Sequence, residues 1–428
     1  MPPADIEAPA PTEEPAPTEA PAPTEAPAPT DVPAPPEPAE SSIVIAIPED
    51  PAGFNGYVSD TGYEQLLMEL VMLGLTDLDA DGNLFMELAT ELPTLENGGV
   101  VTDENWMMNA TWTIRDDIYW ADGEQVTADD VVFTWNAATD PETGIWVEGV
   151  DYTLGVTKVN DFTFFVAYST TYPNYALHFG GESFAIWPEH YCDAEQGFVT
   201  WDCNRDPLSS GPYIMEDWAT GENISFSRNP SYFEEGKPHI DSVDVRIVPE
   251  RSVIKTMMKE GDADLYMWPT SAEMEEFAEV DNVETSISPT TRWLMRLIPN
   301  LAARGSLDSE AEPHPILSDV RVRRAIRMAI DVDTLTTEIF RGYNEPAWTE
   351  LFRPPYACDN IPRPEYDPEG AKALLEEAGW TDQDADGIRE CHGCLNAEEG
   401  YVMSMENMIY AEYGEDLELA QQLVAEML

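Results

Sequence analysis

The first apolar run able to build a core is Ile43-Val44-Ile45-Ala46-Ile47, unbroken and largely β-branched, which predicts a buried strand. From Tyr63 to Leu75 the positions Leu66, Leu67, Leu70 and Val71 recur at helical spacing and predict an amphipathic helix. Ala110 to Ile114 and Phe162 to Tyr168 read as strands, and Thr127 to Ala138 between them as a helix, capped by Thr127 with Asp130 three residues on. Ile224 to Arg228, Ser242 to Val248 and Ala263 to Met267 read as strands, with a helix at Ser252 to Glu260. After Asn300 the pattern turns helical, at Asp319 to Ala329, Thr334 to Phe340, Pro368 to Ala378 and Tyr413 to Leu428. This irregular alternation predicts a mixed α/β architecture, and because the last helix stops in mid-pattern, further sequence is expected beyond it.

Residues 1–41 carry no such pattern. They repeat a Pro-Thr-Glu unit (Pro11-Thr12-Glu13, Pro17-Thr18-Glu19, Pro23-Thr24-Glu25, then Pro29-Thr30-Asp31) and hold almost no large apolar side chains, so they cannot bury a core and read as a disordered tether. In polyproline II geometry, at ~3.1 Å per residue, such a tether reaches on the order of 100 Å. Met1-Pro2-Pro3 lacks the charged and apolar regions of a secretory signal, so a signal with a lipid anchor is expected upstream.

Charge narrows the partners. The 428 residues, 43% hydrophobic, suffice for two or three domains. With 83 acidic against 21 basic residues the net charge is -62, a polyanion that repels phosphate backbones and anionic lipid, so nucleic acid is excluded as a partner. A solvated acidic surface is the plain reading of that charge, with attraction of cationic ligands the functional one. No apolar run approaches the ~20 residues that cross a bilayer.

Cys192 and Cys203 lie close together in a Trp-, Pro- and Asp-rich stretch, where a local disulfide is expected in an oxidising compartment. Cys358, Cys391 and Cys394 leave one thiol over after any second pairing; Cys391-His392-Gly393-Cys394 supplies half a zinc site, no second pair stands at finger spacing, and no metal is assigned. Asp382-x-Asp384-x-Asp386-Gly387 and Asp77-x-Asp79-x-Asp81-Gly82 open like calcium loops, but Gly393 and Leu88 stand where the bidentate acid belongs, which favours acidic turns over weak calcium binding. The five histidines show no metalloprotease spacing, and neither a nucleophile elbow nor a phosphate loop is present, so no catalytic residue and no cofactor is assigned.

Five blocks carry a resemblance. The strongest runs Ala110-Thr-Trp-Thr-Ile-Arg115-Asp-Asp-Ile-Tyr-Trp120-Ala-Asp122-Gly123 through Thr127-Ala128-Asp129-Asp130-Val131-Val132-Phe133-Thr134. The others are Leu73-Gly74-Leu75 to Leu88-Ala89, Ser210-Gly211-Pro212-Tyr213 with Arg228-Asn229-Pro230 and Tyr232, Asp319-Val320-Arg321-Val322-Arg323-Arg324-Ala325-Ile326 with Ala329-Ile330-Asp331, and Tyr366-Asp367-Pro368 with Ala378-Gly379-Trp380. In this order they resemble the solute-binding proteins of family 5, the oligopeptide, dipeptide and nickel binders of bacterial ABC importers.

That resemblance implies an α/β, two-lobed periplasmic-binding-protein-like fold of class II, in the large cluster with an extra subdomain, here C-terminally truncated. Lobe I falls on 42–298, with the extra subdomain at about 76–200, and an incomplete lobe II on 299–428. It also implies a monomer that captures a peptide or another small solute, delivers it to an ABC permease in the membrane, and resides in the periplasm or on the cell surface. The ligand positions it implies are Tyr57 in the loop after the first strand, Trp268, and Arg292 and Trp293 at the first crossover, since aromatic faces and an arginine fork suit peptide-like ligands. Trp120, Asp122 and Gly123 read instead as a structural turn. The alternative functions are a secreted hydrolase, or a non-transport sensor or adhesin on the same scaffold.

Overall fold

A computed structural model describes residues 41–58, 62–180, 184–287, 294–350, 358, 360–409 and 415–428, so the Pro-Thr-Glu tether lies outside the described residues. From β1 (Ser42–Ile47) the chain passes through α1 (Tyr63–Val71), β2 (Thr76–Leu78), β3 (Leu84–Met86), β4 (Val100–Thr102), β5 (Met108–Thr113), α2 (Ala128–Ala138), β6 (Thr153–Asn160) and β7 (Thr163–Tyr168). It continues through β8 (Tyr213–Ala219), β9 (Asn223–Arg228), β10 (Ser242–Ile247), α3 (Arg251–Glu260), β11 (Leu265–Tyr266) and α4 (Ser271–Ala278). Then come α5 (Val320–Ala329), α6 (Val332–Thr334), a π turn at Leu335–Ile339, α7 (Pro368–Glu377), β12 (Trp380–Thr381), β13 (Glu390–Cys391) and α8 (Glu415–Met427).

The first sheet has the order β11-β1-β10-β9-β8. Its β1 pairs in parallel with both β10 and β11, while β8 and β9 add on antiparallel. The β-branched run Ile43 to Ile47 is thus flanked on both edges, and Ile45, Ala46 and Ile47 are buried, as a parallel strand covered on both faces requires. The second sheet, β4-β5-β7-β6, is antiparallel, and its strands alternate: β5 reads buried, exposed, buried along Met108, Asn109 and Ala110. Helix α2 begins at the predicted cap, where Thr127 Oγ1 accepts from Asp129 N–H and Asp130 Oδ2 accepts from Thr127 N–H at 2.8 Å.

Three apolar clusters organise the packing. One runs from Ile45 to Ile247 and spans both sheets; a small second joins Ala46, Ile254, Ala263, Tyr266 and Phe277; a third gathers Ile316, Val322, Ala378, Trp380 and Cys391. Trp120 sits fully inside the first, while Gly123 takes φ 96° and Asp122 Oδ1 accepts from Glu124 N–H at 3.0 Å, a turn in service of the fold.

The structure departs from sequence expectation in identifiable places. The helix predicted to Leu75 ends at Val71, because Met72 turns extended and the next residues take backbone partners elsewhere: Leu75 N–H donates to Phe179 O at 2.7 Å, and Leu73 O accepts from Ile186 N–H at 3.1 Å. A Cβ on Gly74 would stand 2.6 Å from Gly180 Cα, so only glycine permits this approach. The strand expected over Ala263 to Met267 is only Leu265–Tyr266, and the helix expected at Thr334 to Phe340 begins at Val332 and widens into the π turn. Strands β6 and β8 and helix α4 were not expected from the pattern at all.

Candidate functional site

Strands β1, β10 and β11 run parallel, so the loops leaving their C-terminal ends emerge on one edge of the first sheet. In open sheets with parallel strands that edge is where ligands bind. Two loops there are fastened by hydrogen bonds from distant parts of the chain.

The loop after β1 is fastened along its length. Asp50 accepts from Trp218 Nε1–H and from Gly221 N–H, both at 2.9 Å, and Phe54 N–H donates to Asn204 O at 2.7 Å. A Cβ on Gly53 would stand 2.7 Å from that same carbonyl, so the close approach requires glycine. Asn55 Nδ2–H donates to Asn204 Oδ1 at 3.1 Å, and Asn204 Nδ2–H donates to Phe198 O at 3.1 Å. Residues 52–58 and 199–205 together wall a cavity of about 250 Å³. Cys192 and Cys203 are disulfide-bonded with Cα atoms 5.6 Å apart, which closes the second wall on itself. Arg205 lies over the Trp218 ring at 3.7 Å.

The loop after β11 presents Trp268. Its ring packs on Tyr63 at 4.7 Å between centroids, yet the residue remains 41% exposed, and its φ of 56° is a left-handed value rare for a bulky side chain. What holds it there is a network behind the loop. Arg251 Nη1–H donates to Tyr266 Oη at 2.6 Å and to Trp268 O at 3.3 Å. Glu273 Oε2, in a side chain 8% exposed, accepts from Tyr266 Oη–H at 3.1 Å and Thr270 N–H at 2.9 Å, and faces Arg251 Nη1 at 3.4 Å. On the other side Gly62, at φ +90°, leaves the indole room: a Cβ there would stand 2.8 Å from the Trp268 ring. A half-exposed aromatic side chain is thus held in a strained backbone by buried polar bonds, an arrangement of the kind from which ligand sites are built.

Of the four ligand positions expected, Trp268 is placed on this edge, 41% exposed and packed on Tyr63. Tyr57 is half-buried and turns the other way, its ring 5.9 Å from Phe184 and 6.4 Å from Phe198, and burial pushes its hydroxyl well above the usual phenol range. Arg292 and Trp293 lie outside the described residues. Sequence reasoning missed Tyr63, Arg251, Asn204 and Glu273. For Glu273 a signal was present, since Thr270-x-x-Glu273 is a capping box and α4 begins with one. Nothing local marks the others, whose roles depend on partners far along the chain.

Helix α4 also receives side chains from the C-terminal part of the molecule. Ser271 N–H donates to Asp416 Oδ2 at 2.6 Å, and Arg341 pairs with Glu275. The acidic loops bond part of their carboxylate oxygens to their own backbone, while Asp382, Asp384 and Asp386 keep oxygens within 4.8 Å of one another. Asp382 Oδ2 accepts from Gly387 N–H at 3.0 Å, Asp386 Oδ1 from Ile388 N–H at 2.8 Å, and Asp79 Oδ1 from Asn83 N–H at 2.8 Å. Cys391 and Cys394 are joined as a second disulfide, so neither sulfur is a free thiolate for a metal.

Comparison with known proteins places this architecture. The model of the bacterial extracellular solute-binding proteins, family 5 Middle, matches residues 107–428. The oligopeptide-binding protein AppA of Bacillus subtilis is 25% identical over 365 residues, covering 82% of this chain and 62% of that protein. The nickel-binding periplasmic protein of Escherichia coli is 25% identical over 343 residues, covering 78% of this chain and 60% of that protein. The chain thus spans about three fifths of the length of these relatives. Among solved structures, the Bacillus subtilis AppA in complex with a nonapeptide superposes with a TM-score of 0.64 at 19% identity, covering 91% of this chain and 73% of that one. NikZ from Campylobacter jejuni with Ni(L-His) gives a TM-score of 0.64 at 22% identity, covering 82% of this chain and 66% of that one. The two-lobed α/β fold is therefore shared with these binding proteins, and the chain belongs to the bacterial extracellular solute-binding proteins of family 5.

Proposed function

We propose that this chain is the solute-capturing component of an ABC importer, holding a peptide or a similar small solute between two lobes and presenting it to a membrane permease. The observation that carries the reading is the Trp268 platform, a partly exposed aromatic side chain fixed at the C-terminal edge of the parallel strands. Such a wall gives affinity by burying apolar surface and leaves selection to a few polar anchors. In this reading lobe I comprises 42–298 and lobe II 299–428, in keeping with the separate apolar cluster around Trp380. Arg292 and Trp293 join Trp268 on the ligand, whereas Tyr57 supports the loop from behind. No covalent chemistry is part of it.

Capture takes place outside the cytoplasm, where the Cys192–Cys203 disulfide is stable. The protein acts as a monomer and takes no nucleic acid. Among the described residues no helix is long and apolar enough to cross a membrane, so contact with the bilayer belongs to the permease and to the proposed lipid anchor.

A thermal-shift screen against peptides of two to nine residues, oligosaccharides and nickel chelates tests this directly, because a ligand that binds only the folded state raises its melting temperature. Peptides are expected to raise it, and Trp268→Ala, measured against its own unliganded melt, to abolish most of the rise. Hydrolysis of the added peptide, or a rise that Trp268→Ala leaves intact, refutes the reading.

A further inference from the structure

Arg324 and Arg327 are, among the described residues, the two lysine or arginine side chains with neither a hydrogen bond nor an ion pair. Arg324 is exposed, where water suffices. Arg327 is partly buried in the last turn of α5, in a chain with 83 acidic residues against 21 basic. A half-buried guanidinium without a carboxylate forgoes the pairing that normally offsets its lost hydration.

Arg327 lines a cavity of about 270 Å³ formed by the end of α5, the start of α6 and residues 363–366. A second guanidinium, Arg363, lines the same cavity; it pairs with Asp333 and lies over the Trp348 ring at 5.6 Å. Burial, and then the Arg363 charge, hold Arg327 below its ordinary pKa, so like charges converge here. Two of the three carboxylates of the wall are already engaged: Asp331 Oδ2 accepts from Thr334 Oγ1–H at 2.7 Å and its Oδ1 from Thr334 N–H at 3.1 Å, while Asp333 holds Arg363. Glu365 stands exposed at the rim, and Ile330, Val332, Pro364 and Tyr366 supply apolar wall.

We propose that this cavity binds a small organic carboxylate, its oxygens held by the Arg327 fork with Arg363 beside it and its carbon body against Ile330, Val332 and Tyr366. A guanidinium presents two parallel N–H donors that match a carboxylate, which spherical anions cannot use as well. The volume lies below the range of about 300–1,000 Å³ of drug-sized ligand pockets, so the ligand has only a few carbons. This site involves neither Trp268 nor the edge of the first sheet, and it stands or falls independently of the importer reading.

Saturation-transfer NMR with isovalerate on the whole chain, at constant ionic strength, tests it. Wild type is expected to give a saturable signal that neutral isovaleramide neither reproduces nor displaces. Arg327→Gln should weaken binding at least tenfold, while Arg324→Gln should bind as wild type does. Isovaleramide needs no variant, so the test survives a folding defect in Arg327→Gln. No saturable signal, equal binding of isovaleramide, or undiminished binding by a folded Arg327→Gln overturns the proposal; equal displacement by inorganic phosphate overturns the assignment to carboxylates.

Discussion

Removing the Glu273 carboxylate tests whether the Trp268 platform is held as described. In Glu273→Ala, Oε2 ceases to accept from Tyr266 Oη–H, Thr270 N–H and Arg251 Nη1–H, all within a side chain 8% exposed. Leaving a buried donor unsatisfied costs about 1–3 kcal/mol, and losing half of a capping box about 1 kcal/mol. The donors share one acceptor and relax together, so these costs do not sum; a loss of about 3 kcal/mol is expected. Glu273→Gln keeps an acceptor oxygen at that place and should lose about 1 kcal/mol. The assay is urea denaturation followed by circular dichroism, with the two variants and wild type at the same pH. Because the network sets the backbone of residues 266–270, Glu273→Ala should also weaken binding of whichever solute shifts the wild-type melt, even though Glu273 itself lies behind the indole. A Glu273→Ala protein within about 0.5 kcal/mol of wild type, or one destabilised with unchanged affinity, refutes the claim that this carboxylate holds the platform.

Three further outcomes follow from burial and from the covalent link. His178, 4% exposed and bonded through Nδ1 to Tyr168 Oη at 2.8 Å, is held by burial at a pKa of about 4 against 6.5 when free. The folded state therefore prefers the neutral ring, and up to about 3 kcal/mol of stability, complete above pH 6.5, is lost as pH falls from 6.5 to 4; His178→Gln should flatten that part of the urea-midpoint profile, and a parallel profile refutes it. Glu87 runs the opposite way: burial first, then the charges of Asp77 and Glu234, push its carboxyl up to about 8 from 4.5, against the bond from Gly74 N–H at 2.9 Å. Its neutral form is favoured in the fold, so the contribution is complete below pH 4.5 and lost as pH rises to 8; allowing for its partial exposure, wild type should lose about 2 kcal/mol more than Glu87→Gln over that window, and equal losses refute it. Replacing both Cys192 and Cys203 by Ala should cost about 3 kcal/mol from the loop the bond closes, read as a lower urea midpoint, whereas an unchanged midpoint would show that loop 192–203 is ordered without it.

Elements whose cause is local were legible before the structure was known. β1 announced itself as an apolar β-branched run, α2 by Thr127 and Asp130, and α7 by Asp367 before Pro368, with Asp367 Oδ1 accepting from Gly370 N–H at 2.8 Å. Strands β6 and β8 were not, because their burial is broken by irregular pairing: β6 shifts register against β7 between Thr153 and Gly155, and β8 shifts against β9 between Met215 and Asp217. At the candidate site, Trp268 was singled out only through the family resemblance, as the position after the strand at 263–267. Its support could not, since Tyr63 and Trp268 meet only when α1 returns beneath the loop after β11.

By itself, the sequence determined the class of the molecule: its acidity argues against polyanionic partners, its head holds almost no large apolar side chains, and five ordered motifs placed it among family 5 binding proteins. Those properties reside in composition and in spacings of a few residues, which every conformation of the chain retains. The tertiary structure alone decided that Tyr57 faces the core while Trp268 stays partly exposed, that Asn204 fastens the loop after β1, and that Arg327 has no partner among the described residues. Such outcomes depend on which distant backbone satisfies a donor and which side chain excludes water from a charge, and only the folded chain brings those groups within bonding distance.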